Sequence, residues 1–213
     1  MSLKLFYSPG ACSMVSHIAL EEARLDYEPV RVMLADGEHL KPEYVAINPH
    51  SRVPALATDR GVITENIAIL NFIADRSGAP GSVPRGDPYA TARCNELLGW
   101  LASSVHIGFA GIWRAQRFTA DESAWPAIQA GGREAVERYF GEIEDLSGDG
   151  WIAGDAFTAA DSYVATFFRW GRRIGLDMSR YPRTAALVQR VVERPAVQAV
   201  LEAEGLPASD FAA

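Results

Sequence analysis

The stretch Tyr7-Ser8-Pro9-Gly10-Ala11-Cys12-Ser13 lies between a predicted strand and a predicted helix. Before it, Leu3-Lys4-Leu5-Phe6-Tyr7 alternates and is rich in residues that favour strands. After it, apolar residues recur at helical spacing, at Val15, Ile18, Ala19 and Ala23. Cys12 and Ser13 therefore fall at a helix N-terminus, where free N–H groups and the helix dipole favour negative charge. Cys12 is then either a reactive thiol or an inert small apolar residue, and this stretch alone leaves both readings open.

The composition is that of a soluble globular protein with no nucleic-acid or membrane partner. The 213 residues are 48% hydrophobic and 22% charged, with a formal net charge of −7 and no cluster of Lys and Arg. No apolar run approaches the roughly 20 residues of a transmembrane helix, and the start lacks a signal-peptide pattern. Cys12 and Cys94 have no metal-ligand spacing, so we expect a reduced, cytoplasmic protein without disulfides or a metal ion.

The first 78 residues have the pattern of a mixed α/β unit. A short strand is expected at Val30-Arg31-Val32, a short helix at 43–47 and a hairpin within 55–63. Asn66 is expected to cap the following helix, and Glu65 brings a carboxylate to the start of that helix. The order β-α-β, α, β-β-α predicts a mixed sheet with helices on both faces.

A linker separates this unit from an all-helical second half. The segment 77–88 contains three prolines and three glycines and has little apolar content. We therefore divide the chain into a first domain at 1–78, a linker at 79–87 and a second domain at 88–213. Helix starts are expected in the second domain at Pro88, Pro126, Thr158, Pro182 and Pro195, the third as a capping box with Asp161.

Several of these motifs together resemble the glutathione transferases. Val53-Pro54 before the third strand and Thr64-Glu65-Asn66 before the last helix are similar to the thioredoxin-like domain of that family. The turn with Cys12, followed by His17-Ile18-Ala19-Leu20, narrows the resemblance to the bacterial beta class, in which cysteine replaces the tyrosine or serine of other classes. The resemblance implies a thioredoxin-like α/β domain followed by an all-α domain, a homodimer, and glutathione as co-substrate.

The resemblance also implies a glutathione site. Val53-Pro54 would form a cis-proline turn that leaves the Val53 backbone able to pair with an extended peptide. Glu65 and Asn66 would hold the γ-glutamyl end at a helix N-terminus. Arg52 would lie near the glycyl carboxylate, although a solvated surface arginine fits the pattern equally well.

The reacting sulfur has its own expected contacts. Cys12 and Ser13 would face it, and His106 would donate a hydrogen bond to it or accept its proton. Ser103 shares a helix face with His106 and is expected to contact glutathione, on a helix that extends as far as Arg117. Because few cations are close to the turn in sequence, the helix dipole and hydrogen bonds are expected to provide most of the thiolate stabilisation.

An acceptor pocket is expected between the domains, walled by Phe109, Trp113 and Trp170. By pattern alone, aromatic residues at this spacing indicate a core more often than a site. Two positions depart from the family: Gly99 replaces its common asparagine, and Ile107 replaces its usual lysine. Both changes remove polar contacts to glutathione.

Three functions fit these residues. The first is a transferase that conjugates glutathione to a small hydrophobic electrophile, a detoxification reaction. The second is glutathione-dependent thiol–disulfide exchange by a monothiol route, with Cys12 as the nucleophile. The third is a non-catalytic ligand-binding protein on the same fold, which the departures at Gly99 and Ile107 favour.

Overall fold

The sheet occupies the first half of the chain, in a computed structural model that describes residues 3–78 and 82–213. Residues 1–2 and part of the expected linker, 79–81, lie outside this description. The strands are β1 Leu3–Tyr7, β2 Tyr27–Arg31, β3 Ala55–Thr58 and β4 Gly61–Thr64. They lie in the order β2-β1-β3-β4, with β1 parallel to β2 and antiparallel to β3, and β3 antiparallel to β4. The expected mixed sheet is confirmed.

Helices cover both faces of this sheet, as expected. They are α1 Ser13–Glu22, α2 Pro42–Val45 and α3 Asn66–Ser77. The alternation along β1 sends Leu5 and Tyr7 into the main core with α1 and α3, which continues into the helical half. Phe6 points to the opposite face, where it packs against a small cluster that contains Tyr44 and Val53.

The second half consists of helices. They are α4 Pro88–Trp100, α5 His106–Trp113, α6 Trp125–Leu146, α7 Ala159–Arg173, α8 Pro182–Val192 and α9 Pro195–Glu204. A π-helical turn, Leu101–Val105, joins α4 to α5 without a break. The expectation that this helix reaches Arg117 is wrong, because Arg114 leaves the helical conformation with a φ of −144°.

Helix α7 is the core of the helical half, and its residues from Ala159 to Gly171 are all buried. Its start is the expected capping box, formed by Thr158 and Asp161. The buried Asp161 carboxylate accepts hydrogen bonds from the backbone N–H groups of Ile152 and Thr158, both at 2.8 Å, and from Thr158 Oγ1 at 3.1 Å. One carboxylate thus fixes both the start of α7 and the loop before it.

Replacement of this carboxylate is expected to destabilise the protein strongly. Asp161→Ala leaves buried donors without a partner, which predicts a loss of about 3 kcal/mol in the free energy of unfolding. Urea denaturation followed by circular dichroism measures the change. Asp121→Ala is the matched control, because the exposed Asp121 accepts similar bonds from Ser123; water can replace those bonds, so its loss should be clearly smaller. Equal losses in the two variants would contradict this account.

Candidate active site

The turn between β1 and α1 is held by side chains from the helical half. The Gly10 N–H donates to Glu204 Oε2 at 2.7 Å, and the Gly10 carbonyl accepts from Trp170 Nε1 at 2.8 Å. A hydrogen bond of 2.8 Å joins the buried Glu204 to His17 Nδ1. Gly10 has a φ of +66°, and a Cβ there would collide with Arg169 Nη1. Glycine therefore suits this position, and α7 and α9 fix the backbone that leads to Cys12.

Two cavities meet beside this turn. The α3 cavity, of about 520 Å³, lies between the Val53-Pro54 turn and the start of α3. The α5 cavity, of about 420 Å³, lies between the Gly10 turn and the ends of α5 and α7. Cys12, Val53 and His106 line both cavities. A group bound in one cavity would therefore lie close to a group bound in the other.

Cys12 directly precedes α1, but its environment does not favour a thiolate. Its Sγ donates a hydrogen bond to the Val53 carbonyl at 3.4 Å. Burial raises the pKa of the Cys12 thiol to about 12, in spite of the positive charge of Arg114, which acts to lower it. Of the two readings that the sequence left open for Cys12, this environment favours the inert thiol, because desolvation outweighs the helix N-terminus.

Ser13 does not face either cavity. Its hydroxyl is buried, accepts a hydrogen bond from the Ser8 N–H at 3.1 Å and donates one to the Ser8 carbonyl at 3.3 Å. This side chain stabilises the turn from inside. The expectation that Ser13 contacts the reacting sulfur is therefore corrected.

Glu65 and Asn66 border the α3 cavity. Glu65 immediately precedes α3 with a φ of +67°, a conformation uncommon for residues other than glycine, and the start of α3 has no side-chain cap. Asn66 was expected as the cap but is the first residue of the helix. Its amide accepts from Ser16 Oγ at 2.6 Å and donates to the Cys12 carbonyl at 3.0 Å. The uncapped N–H groups of α3 and the Glu65 carboxylate are therefore both available to a ligand.

Val53 offers its backbone to the same cavity. The Val53–Pro54 peptide is cis, as expected. The preceding carbonyl, that of Arg52, accepts hydrogen bonds from Tyr44 Oη at 2.6 Å and Asn48 Nδ2 at 2.7 Å, which fixes the loop. Within residues 3–78 and 82–213, no acceptor takes the Val53 N–H.

His106 lies at the boundary of the two cavities with a neutral ring. The rings of Phe167 and Trp170 pack against it, with centroids at 5.9 and 5.2 Å. Burial, together with the positive charges of Arg114 and Arg117, lowers the pKa of His106 to about 4. At neutral pH this imidazole has one N–H donor and one nitrogen acceptor.

Ser103 lies outside the site. It is exposed, and its hydroxyl donates to the Gly99 carbonyl at 2.8 Å. The π-helical turn widens the helix just before His106, so that Ala102 borders the α3 cavity instead. The prediction that Ser103 contacts the ligand is thus wrong, because it placed Ser103 and His106 on one helix face by assuming regular α-helical spacing.

The aromatic residues divide into two layers. Trp113 and Trp170 line the α5 cavity, with ring centroids 5.2 Å apart. Phe109 is fully buried behind them, stacked on Trp113 and edge-on to Trp170, with both centroid distances at 5.3 Å. Phe109 therefore orients the wall without forming its surface, which corrects the expectation.

Cations border the cavities where few were expected. The α5 cavity is lined by Arg52, Arg114, Arg117 and Arg173. The sequence did not predict Arg114, Arg117 and Arg173 here, because they come from the ends of α5 and α7 and not from the turn. A signal existed, since Arg114 and Arg117 follow His106 by eight and eleven residues, which continues its helical face.

Within residues 3–78 and 82–213, no group of three or more His, Cys, Asp or Glu side chains could hold a metal ion. No helix there has the length and apolar character needed to cross a membrane.

The chain matches known proteins over nearly its whole length. Residues 1–75 match the family model for the glutathione S-transferase N-terminal domain, and residues 108–195 match that for the C-terminal domain. Glutathione S-transferase GstA of Escherichia coli O157:H7 is 35% identical over 210 residues, which cover 96% of this chain and 100% of that relative.

Solved structures of glutathione transferases are also similar to this chain over nearly its whole length. A glutathione transferase homolog from Sulfitobacter, with bound glutathione, superposes with a TM-score of 0.88 at 33% identity, covering 97% of this chain and 99% of that one. A bacterial beta class glutathione S-transferase from Sphingomonas chungbukensis has a TM-score of 0.83 at 34% identity, covering 96% and 100%.

The raised pKa of Cys12 predicts slow alkylation. Iodoacetamide should modify Cys12 of the folded protein at a rate that keeps rising beyond pH 10, because the thiolate is scarce below the raised pKa. Peptide mapping by mass spectrometry separates Cys12 from Cys94. The chain unfolded in urea is the control, with half-maximal alkylation near the ordinary thiol pKa of about 8.5. A plateau reached by pH 8 in the folded protein would contradict the account.

Proposed function

Because the chain belongs to the glutathione S-transferase family, we propose that the α3 cavity holds glutathione and the α5 cavity holds the electrophile to which it is conjugated. The observation that carries this assignment is the shared lining of the two cavities by Cys12, Val53 and His106. A sulfur bound beside these residues would point from one cavity into the other. Contact between the nucleophile and the electrophile requires this arrangement.

Glutathione lies extended in the α3 cavity. Its γ-glutamyl carboxylate accepts hydrogen bonds from the uncapped start of α3, and its ammonium pairs with Glu65. Its cysteinyl backbone pairs with Val53, whose carbonyl is released when the Cys12 thiol turns from it to the ligand sulfur. Arg52, which lines both cavities, takes the glycyl carboxylate.

The sulfur of glutathione reacts as a thiolate. A shift of its pKa from about 8.5 to about 6.5 requires about 2.7 kcal/mol. The start of α1, a hydrogen bond from the Cys12 thiol and the positive charges of Arg114 and Arg117 supply this stabilisation. Neutral His106 donates its ring N–H to the sulfur, and the thiol proton goes to solvent. The thiolate electron pair then forms a carbon–sulfur bond, and the leaving group departs with the electrons of its own bond.

Cys12 is a hydrogen-bond donor in this reaction, not a nucleophile. Its raised pKa disfavours the thiol–disulfide exchange that the sequence left open, because that reaction needs the Cys12 thiolate. The non-catalytic alternative has weaker support, since two relatives that match 96% of the chain are named glutathione S-transferases.

Four finer properties are part of the proposal. The enzyme belongs to the beta class, acts as a homodimer, works in the cytoplasm and detoxifies electrophiles. The Cys12 turn and the similar Sphingomonas structure support the class, and the family resemblance supports the homodimer. The free cysteines suit the reducing cytoplasm. The proposal also divides the chain into domains at 1–78 and 88–213 with a linker at 79–87, which the end of α3 at Ser77 and the start of α4 at Pro88 support.

Glu65 provides the most direct test of the glutathione pose. Glu65→Gln removes the carboxylate that pairs with the ammonium, so the KM for glutathione should rise about tenfold with a smaller change in kcat. Conjugation of 1-chloro-2,4-dinitrobenzene at varied glutathione concentration measures both constants. Glu43→Gln is the control, an exposed glutamate on α2 that borders neither cavity. An unchanged KM in Glu65→Gln would contradict the pose.

Cys12→Ala distinguishes between the Cys12 thiol as a hydrogen-bond donor and as a nucleophile. Loss of one hydrogen bond to the thiolate should lower the rate of conjugation by no more than about tenfold. The wild type should reduce a mixed disulfide of glutathione poorly, and the variant should do so at a similar rate. Cys12→Ser, which keeps an O–H donor, should conjugate better than Cys12→Ala. Reduction of the mixed disulfide by the wild type but by neither variant would instead make Cys12 the nucleophile.

A further inference from the structure

Four guanidinium groups line the α5 cavity without a carboxylate partner. Arg52, Arg114, Arg117 and Arg173 form no ion pair or side-chain hydrogen bond with any residue of 3–78 or 82–213, and none of the cavity's described lining residues is Asp or Glu. Seven other arginines pair with Asp or Glu: Arg85, Arg93, Arg133, Arg138, Arg169, Arg183 and Arg194. The remaining arginines form no ion pair with a described residue and lie at separate places, so what distinguishes the four is that they line one cavity. Since the chain carries a formal charge of −7, carboxylates are not scarce.

These positive charges act on one another. Partial burial and the charges of Arg114 and Arg52 lower the pKa of Arg117. The same three cations, with burial, lower the pKa of His106. Repulsion between these arginines destabilises the protein without a ligand, and an anion bound in the cavity would offset that repulsion.

Glutathione accounts for only part of this charge. In the proposed function, on which this inference rests, Arg52 binds the glycyl carboxylate. Arg117 also borders the α3 cavity and lies on the side of glutathione. Arg114 and Arg173 line the α5 cavity but not the α3 cavity, and so do the indoles of Trp113 and Trp170. Two cations therefore remain on the acceptor side, beside an aromatic wall.

We propose that the acceptor of this enzyme is an electrophile that carries a carboxylate beside an apolar reacting part. Trp113 and Trp170 contact the apolar part, and Arg114 and Arg173 bind the carboxylate. Guanidinium groups suit this task because they form paired, charge-assisted hydrogen bonds with a carboxylate. The substrate class is thus narrowed from hydrophobic electrophiles to amphipathic anions.

Two aryl chlorides test the proposal, 4-chloro-3,5-dinitrobenzoate and the neutral 1-chloro-2,4-dinitrobenzene. In both reactions a carbon–sulfur bond to glutathione forms, chloride leaves with the electron pair of its bond, and the thiol proton goes to the buffer. Division of each kcat/KM by the uncatalysed rate constant removes the difference in reactivity. The wild type should then prefer the carboxylate acceptor at least about tenfold. Added salt should weaken that preference, because it screens partly exposed charges.

Variants attribute this preference to particular residues. Arg173→Gln should lower the preference about fivefold or more, and Arg114→Gln should act in the same direction. Arg60→Gln is the matched control, because it removes the same charge from an exposed turn that borders neither cavity. A wild type with no preference, or a preference that survives in both cavity variants, would overturn the proposal.

Binding of the products separates this inference from the proposed function. Quenching of tryptophan fluorescence by S-(4-carboxy-2,6-dinitrophenyl)glutathione and by S-(2,4-dinitrophenyl)glutathione gives two dissociation constants without turnover. Tighter binding of the carboxylate conjugate, reduced in Arg173→Gln, supports the inference even if neither chloride is conjugated. Conjugation of both chlorides with equal product affinities would leave the transferase function intact and refute the anionic acceptor.

Discussion

The backbone of Gly10 is the constraint on which the reacting centre depends. Its N–H and its carbonyl are both bonded by side chains of the helical half, Glu204 and Trp170. The turn of the sheet domain is thereby fixed by helices that lie far along the chain. Any shift of α7 or α9 would move Cys12 relative to Val53. The position of the sulfur therefore depends on how the two halves pack, and not on the turn alone.

Two thiols beside the same helix start would have opposite environments. Cys12 is attached to the turn, donates to the Val53 carbonyl and is desolvated, so its pKa rises. A ligand sulfur would instead lie in the open space between the cavities, where Arg114 and Arg117 contribute positive charge. The protein can thus stabilise a thiolate on its ligand and keep its own cysteine protonated. This difference explains why a cysteine at this place need not be a nucleophile.

Local patterns predicted the fold well. The Thr158–Asp161 capping box, the β1 strand and the mixed sheet follow from propensities, caps and turn residues that act over a few positions. The family resemblance supplied the cis Val53–Pro54 turn, which no local preference would have indicated. These features depend little on which distant residues surround them.

The site was predicted less well, because it depends on distant contacts. Ser103 was placed by regular spacing, and the π-helical turn shifted the helix face. Ser13 and Phe109 carry suitable groups but are buried by packing that sequence spacing does not report. Arg173 borders the cavity only because α7 ends there. Chemistry read from the sequence therefore identified the region, and the packing decided which side chains face it.

The central claim is that the bound glutathione sulfur, and not Cys12, is the thiolate. Ultraviolet absorbance of the thiolate, titrated against pH with saturating glutathione, measures this directly in the wild type and in Cys12→Ala. The bound thiol should be half-ionised at about pH 6.5, well below the usual thiol pKa of about 8.5, and Cys12→Ala should retain this signal. A thiolate signal that is present without glutathione and vanishes in Cys12→Ala would contradict it.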